Sequence, residues 1–159
     1  MDYLEHKKQA ISNLKIADHI LIMTYPIVQD PKLLKTVLER LYIAIENAMA
    51  TLLFFEKQQR KISAFNASYV AMLEIIRTPL IKYNISPNYL IFLNELNDIY
   101  QLQKKSDVEF IRKEKFVFYR LVKENLILAS IANDILSNIH EFPQLALDRK
   151  RIVDKEKYL

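Results

Sequence analysis

Histidine is the side chain best suited to move protons near neutral pH, and this chain has three: His6, His19 and His140. Their spacing does not assemble a reaction. His6 and His19 are thirteen residues apart, whereas two ligands on one helix face sit at i and i+4. The residues three before each histidine are Tyr3, Ile16 and Ser137, so the Glu-x-x-His pairs of a di-iron bundle are absent. His140 falls where the last long helix is expected to end, a place where a cation suits the helix dipole. Other polar groups lie close together in sequence. Asn94 and Asp98 are i,i+4 neighbours with Glu95 between them, a small polar cluster that is a candidate ligand site and otherwise a solvated helix face. Lys104, Lys105, Arg112, Lys113 and Lys115 form the most basic stretch, with Phe110 and Phe116 interleaved. Aromatic rings among cations can stack on bases while the cations hold phosphates. Asp107, Glu109 and Glu114 interrupt the run, and without a nucleic acid it is a charged connection between helices. Glu39 and Glu46 are seven apart and can share a helix face, where two inward carboxylates would need partners.

Composition removes whole classes of chemistry. There is no glycine, where roughly 7% usage is ordinary. Phosphate-cradling loops, the dinucleotide fingerprint, the nucleophile elbow and the EF-hand all need glycine in their usual forms. There is no cysteine, which removes disulfides, thiol catalysis and Cys-ligated zinc and is in keeping with a reducing cytoplasm. No metal or cofactor site is expected. The net charge of +4 is spread over both halves of the chain rather than gathered into a groove. No leader pattern is visible at Met1–His6, and no apolar run approaches a membrane span.

The elements that must position these groups are helices. A chain without glycine is expected to favour long helices with polar or proline-marked ends over turns that need positive φ. Apolar residues recur with a 3.6 period over about 2–24 (Leu4, Ala10, Ile11, Leu14, Ala17, Leu21) and 31–59 (Leu34, Val37, Leu38, Leu41, Ile45, Ala48, Leu52). Shorter runs follow at 64–78 (Phe65, Tyr69, Met72, Ile76) and from after Ser86 to about 105 (Leu90, Leu93, Leu96, Tyr100). Asp30-Pro31 and Ser86-Pro87 read as N-cap followed by N1 proline. Pro26, Pro79 and Pro143 lie where helical patterns fade. Ser106-Asp-Val-Glu109 matches a capping box, although 106–119 could equally hold an extended piece. A last helix is expected over about 119–141 (Val122, Leu126, Ala129, Ala132, Ile139). The prediction is an all-α up-and-down bundle of four to five long helices in one domain, 1–142, with a charged tail at 143–159.

The segment Leu41-Tyr-Ile-Ala-Ile-Glu-Asn-Ala-Met-Ala-Thr-Leu-Leu53 resembles the second helix of HEPN domains, in which Tyr-x₅-Asn-Ala-x₃-Leu-Leu packs small residues against a neighbour. The flanking Leu/Ala helix and the following Ser-Ala-Phe segment are similar too, so the resemblance spans about residues 5–140. It implies an all-α bundle, often a homodimer, acting as a metal-independent ribonuclease or as a binding module beside a nucleotidyltransferase. The catalytic Arg-x₄₋₆-His pattern is missing: no arginine precedes His6, His19 or His140 at that spacing. The expectation is therefore a non-catalytic HEPN-like domain that binds a partner protein or a nucleotide or RNA ligand. The alternative is a ribonuclease or toxin–antitoxin component with a displaced site, using Arg112 or Arg120 with Asp98 or Tyr119.

Overall fold

The computed structural model describes residues 1–106 together with Val108 and Arg112. All the regular elements among them are helical. Helix α1 spans Tyr3–His19 and passes through a π-helical turn, Ile20–Thr24, into the short α2, Tyr25–Val28. Helix α3 spans Pro31–Gln58, α4 Tyr69–Ile75, α5 Arg77–Lys82 and α6 Tyr89–Lys105. The all-α bundle expected from the periodicity is what the described residues form. The expected helix at 119–141, the tail at 143–159 and the end of the proposed domain lie outside the described residues.

The first helical rod runs further than its pattern suggests. Pro26 lies inside it, at the second position of α2. Proline has no N–H and its ring crowds the carbonyl four residues back. The π turn resolves this: the Tyr25 N–H reaches the Ile20 carbonyl, one residue further than an α-helical bond. The register slips just ahead of the proline, and the rod continues. Leu4, counted on the core stripe, is 42% exposed, because the first turn of α1 lies at the edge of the bundle.

A two-residue link joins this rod to α3, and so short a connection folds two helices back antiparallel. Their contacts run in opposite directions along the two helices. Tyr3 meets Phe55 edge-on, His6 meets Asn47, and Asn13 accepts from Arg40. Asp30 caps α3 by accepting from the Lys32 N–H at 2.9 Å, with Pro31 at N1 as its sequence predicts. Leu41, Ile45, Ala48 and Leu52 are 1%, 2%, 0% and 0% exposed. Burial goes beyond that single stripe: every residue from Ala48 to Leu53 is buried. A helix buried on all sides has neighbours on all sides, so α3 is the central element.

The third expected helix is divided. Residues 63–67 are not helical, and Ser68 starts α4 by accepting from the Ala71 N–H. Pro79 falls in the first turn of α5, where the missing N–H breaks no helical bond. Ser86-Pro87 opens a tight turn rather than the helix itself. Tyr89 and Leu90 bond back three residues to Ser86 and Pro87, and the α-helix begins at Tyr89. Ser106 leaves α6 in extended backbone, and the helical conformation is present again at Val108 and Arg112.

The absence of glycine has a conformational consequence at helix ends. Arg60 and Asn84 adopt left-handed backbone at φ 57° and 58°. Each is the residue after the C-cap in a Schellman motif. Arg60 N–H reaches Lys57 O and Lys61 N–H reaches Glu56 O; Asn84 N–H reaches Ile81 O and Ile85 N–H reaches Leu80 O. Gln29, the C-cap of α2, is also left-handed, at φ 54°, with its N–H on the Tyr25 carbonyl at 2.8 Å. The chain thus keeps left-handed helix ends and fills them with larger residues, contrary to the expectation that such positions would be avoided.

Candidate functional site

The polar cluster on α6 does not converge. Asn94 and Asp98 are exposed, and Asn94 donates its amide to the Leu90 carbonyl of its own helix at 2.7 Å. Glu95 is half-buried. Among the described residues no three His, Asp or Glu side chains come together as a metal site requires.

The basic stretch is described only in part. Lys104 and Lys105 are exposed in the last turn of α6, where cations suit the dipole. Arg112 is exposed as well. Lys113 and Lys115, with Phe110, Phe116, Tyr119, Arg120 and His140, lie outside the described residues.

Lys104 does belong to an assembly that sequence spacing did not reveal. Its ammonium lies 4.6 Å from the centre of the Tyr100 ring. The Tyr100 ring is stacked on Tyr42 at 3.8 Å and 14°, and Tyr42 is stacked on Tyr69 at 4.3 Å and 15°. The column thus joins α6, α3 and α4. Each inner hydroxyl is bonded: Tyr42 donates to Asn97 Oδ1 at 3.2 Å and Tyr69 to the Leu93 carbonyl at 2.9 Å. Burial, the Glu46 carboxylate and Tyr100 push the Tyr42 phenol up to about 12, so it is a donor and not a base at neutral pH. Tyr100 carries Tyr42 on one side and a cation on its ring as well, which leaves it poorly placed to stack on a base.

A second group lies between α1 and α3. His6 Nδ1 is 2.8 Å from Asn47 Oδ1, and its ring lies parallel to Phe54 at 5.1 Å. Asn47 in turn donates to the Ile43 carbonyl. Glu46, read with Glu39 as one half of a carboxylate face, has its own surroundings. Burial raises its pKa, while the charge of His6 and a hydrogen bond from the Tyr69 backbone pull the other way. Tyr69 is the first residue of α4, so Glu46 serves one of the N–H groups a helix start leaves over.

The third group is the corner where α5 meets the end of α3. Glu56 is 2% exposed, and Lys82 Nζ reaches both of its oxygens at 2.9 Å. The Tyr83 hydroxyl donates to the same carboxylate. Burial alone would raise the Glu56 pKa, but the bonds from Tyr83 and Lys82 and the charges of Lys82 and Lys61 outweigh it, and the carboxyl titrates below its usual range. In sequence Glu56 looks like the i,i+4 partner of Arg60. The helix ends at Gln58, so Arg60 leaves the helical path and the partner comes instead from α5. An open cavity of about 540 Å³ adjoins the corner, lined by Glu56, Lys61, Ile62, Ile75, Thr78 and Lys82 among others.

These three groups share a property. Their histidine, tyrosines and carboxylates bond to amide or lysine side chains, to each other or to the backbone, and they tie α1, α4, α5 and α6 to α3. At the corner beside the cavity, the Glu56 carboxylate is already engaged by Lys82 and Tyr83. Among the described residues no helix is long and apolar enough to cross a membrane. Comparisons with protein-family models, with curated proteins and with solved structures find no match.

Proposed function

We propose that this chain is a non-catalytic, HEPN-like helical module that works by binding another protein, in the first place a second copy of itself. The observation that carries the non-catalytic half is the engagement of His6. It is held by an amide and a phenyl ring, and neither can pass on a proton. The segment resembling the HEPN helix forms the buried centre of the bundle, with Ala44 and Ala48 among its buried small residues, which suits that reading. The binding half is supported by a second apolar stripe on the first helical rod. Ile16, Met23 and Ile27 recur at intervals of seven and four, turned away from Ala10, Leu14, Ala17 and Leu21, and Ile27 is 83% exposed. Val28 beside it is exposed too. Apolar side chains gathered on one surface mark contact sites for other proteins. A nucleotidyltransferase partner and weak RNA binding through Lys104, Lys105 and Arg112 are the alternatives for the same module.

The test has two arms. Light scattering at micromolar concentration should give twice the 18.9 kDa chain mass, and Ile27→Asp should return it to the single-chain value. Purified protein incubated with single-stranded and structured RNA, with and without magnesium or manganese, should leave the RNA intact. A monomer in the first arm removes self-association. Cleavage that follows the protein and vanishes on replacing Glu95 and Asp98, or His140, makes the chain an enzyme.

A further inference from the structure

The fold sorts the sulfur atoms of this chain, which has four methionines and no cysteine. Met49 and Met72 are fully buried, on α3 and α4. Met1, the first residue, is exposed. Met23 differs from all three: it belongs to a regular element, the π turn, and is 57% exposed. Leu21, two residues before it, faces the core at 1% exposure, so Met23 projects from the opposite side of the rod. Pro26 and Ile27 follow three and four residues later, one turn on and beside it, and both are exposed. Val28 extends the same apolar end. Met23 is thus an open thioether set among side chains that carry no hydrogen-bond donor.

We propose that Met23 is a reversible oxidation site that controls pairing of the chain with a second copy of itself; this rests on the self-association read from the same apolar stripe. The oxidant is hydrogen peroxide. The Met23 sulfur lone pair attacks one peroxide oxygen, an S–O bond forms and the O–O bond breaks. The transferred oxygen gives its proton to the departing hydroxide, which leaves as water. Sulfur is oxidised by two electrons and the peroxide is reduced by two. The sulfoxide is polar where the thioether was apolar. Its oxygen needs donors, and the side chains of Pro26, Ile27 and Val28 have none to give. Covering it with the apolar surface of a second copy leaves a buried acceptor without a partner. The oxidised chain therefore stays single, and a methionine sulfoxide reductase restores pairing. Pairing in turn covers the sulfur, so the chain is open to the oxidant only while single. Met49 and Met72 stay reduced, because peroxide reaches them only when the core opens.

The test is peroxide treatment of the intact chain, with each methionine followed by peptide mass spectrometry and the particle mass by light scattering. In dilute protein Met23 should oxidise within about threefold of the rate of Met1. It should be at least about tenfold faster than Met49 and Met72, since tenfold protection needs only about 1.4 kcal/mol of opening free energy. At concentrations where the chain is paired, the Met23 rate should fall relative to that of Met1. Once Met23 is fully oxidised, the dissociation constant of the pair should rise at least about tenfold, and reductase should reverse this. Met23→Leu should stay paired in peroxide even though Met1 still oxidises, and Met23→Gln should be single without peroxide. Circular dichroism checks that each variant is folded. Oxidation of Met23 as slow as that of Met49 and Met72 overturns the proposal. A pair that survives complete oxidation of Met23 overturns it too and leaves self-association standing. A chain that is single before any peroxide is added removes self-association and the switch together.

Discussion

Arg60 offers the cleanest probe of what it costs a protein to have no glycine. It is exposed, it follows the C-cap of α3, and its φ of 57° puts a Cβ where the carbonyl crowds it. That conformation costs a residue with a Cβ about 1–2 kcal/mol relative to glycine. Arg60→Gly removes the crowding but adds freedom to the unfolded chain, which costs about 0.4–1 kcal/mol. The net expectation is a gain of about 0.5–1 kcal/mol. For a chain of this size that is a rise of roughly 1–4 °C in Tm. Arg60→Ala is the control, since it also loses the guanidinium but keeps the Cβ. Both Schellman hydrogen bonds, Arg60 N–H to Lys57 O and Lys61 N–H to Glu56 O, survive in either variant, because they involve backbone only. Urea and thermal unfolding of the three proteins side by side should place glycine above alanine. If the glycine variant is no more stable than the alanine variant, the left-handed position stores no strain and the reasoning fails. Asn84→Gly should gain less, because asparagine tolerates the left-handed region better than arginine.

Ile45→Ala should destabilise the chain by roughly 2–5 kcal/mol, since it empties a site in the middle of the buried central helix; a change within about 0.5 kcal/mol in urea unfolding would mean the site collapses without loss. Glu46→Gln should stabilise the protein at pH 7. Burial raises the pKa of Glu46 against the pull of His6 and the Tyr69 amide, so its ionised form is disfavoured on folding. Stability linked to such a group is fully present below its ordinary value of 4.5 and is lost as the pH rises through the raised one. The urea midpoints of wild type and variant should therefore diverge from acid to neutral pH, and a constant gap would exclude ionisation of Glu46 as the cause.

The helical character of the chain, the N-cap at Asp30 and the core line of Leu41, Ile45, Ala48 and Leu52 were readable from residue order. Their causes are local: the 3.6 period, a side chain reaching the next N–H groups, and a proline at N1. The limits of local reasoning appear at Pro26 and Pro79. A proline marks a place where an α-helical bond is lost, but whether the chain turns there depends on what else can absorb the loss. At Pro26 a π turn does so, and at Pro79 the start of a new helix does. The same limit applies to polar partners. Spacing along one helix suggested Glu56 with Arg60 and Asn94 with Asp98. The tertiary fold instead joined Glu56 to Lys82 across 26 positions and Tyr42 to Asn97 across 55.

Local sequence therefore determined which segments are helical and which of their faces seek burial, because both depend on neighbours within one or two turns. Only the packed structure decided which charges share a carboxylate, which tyrosines stack, and which histidine is held by an amide. Those pairings are set by how the helices lie against α3, and no spacing within a single helix encodes that arrangement.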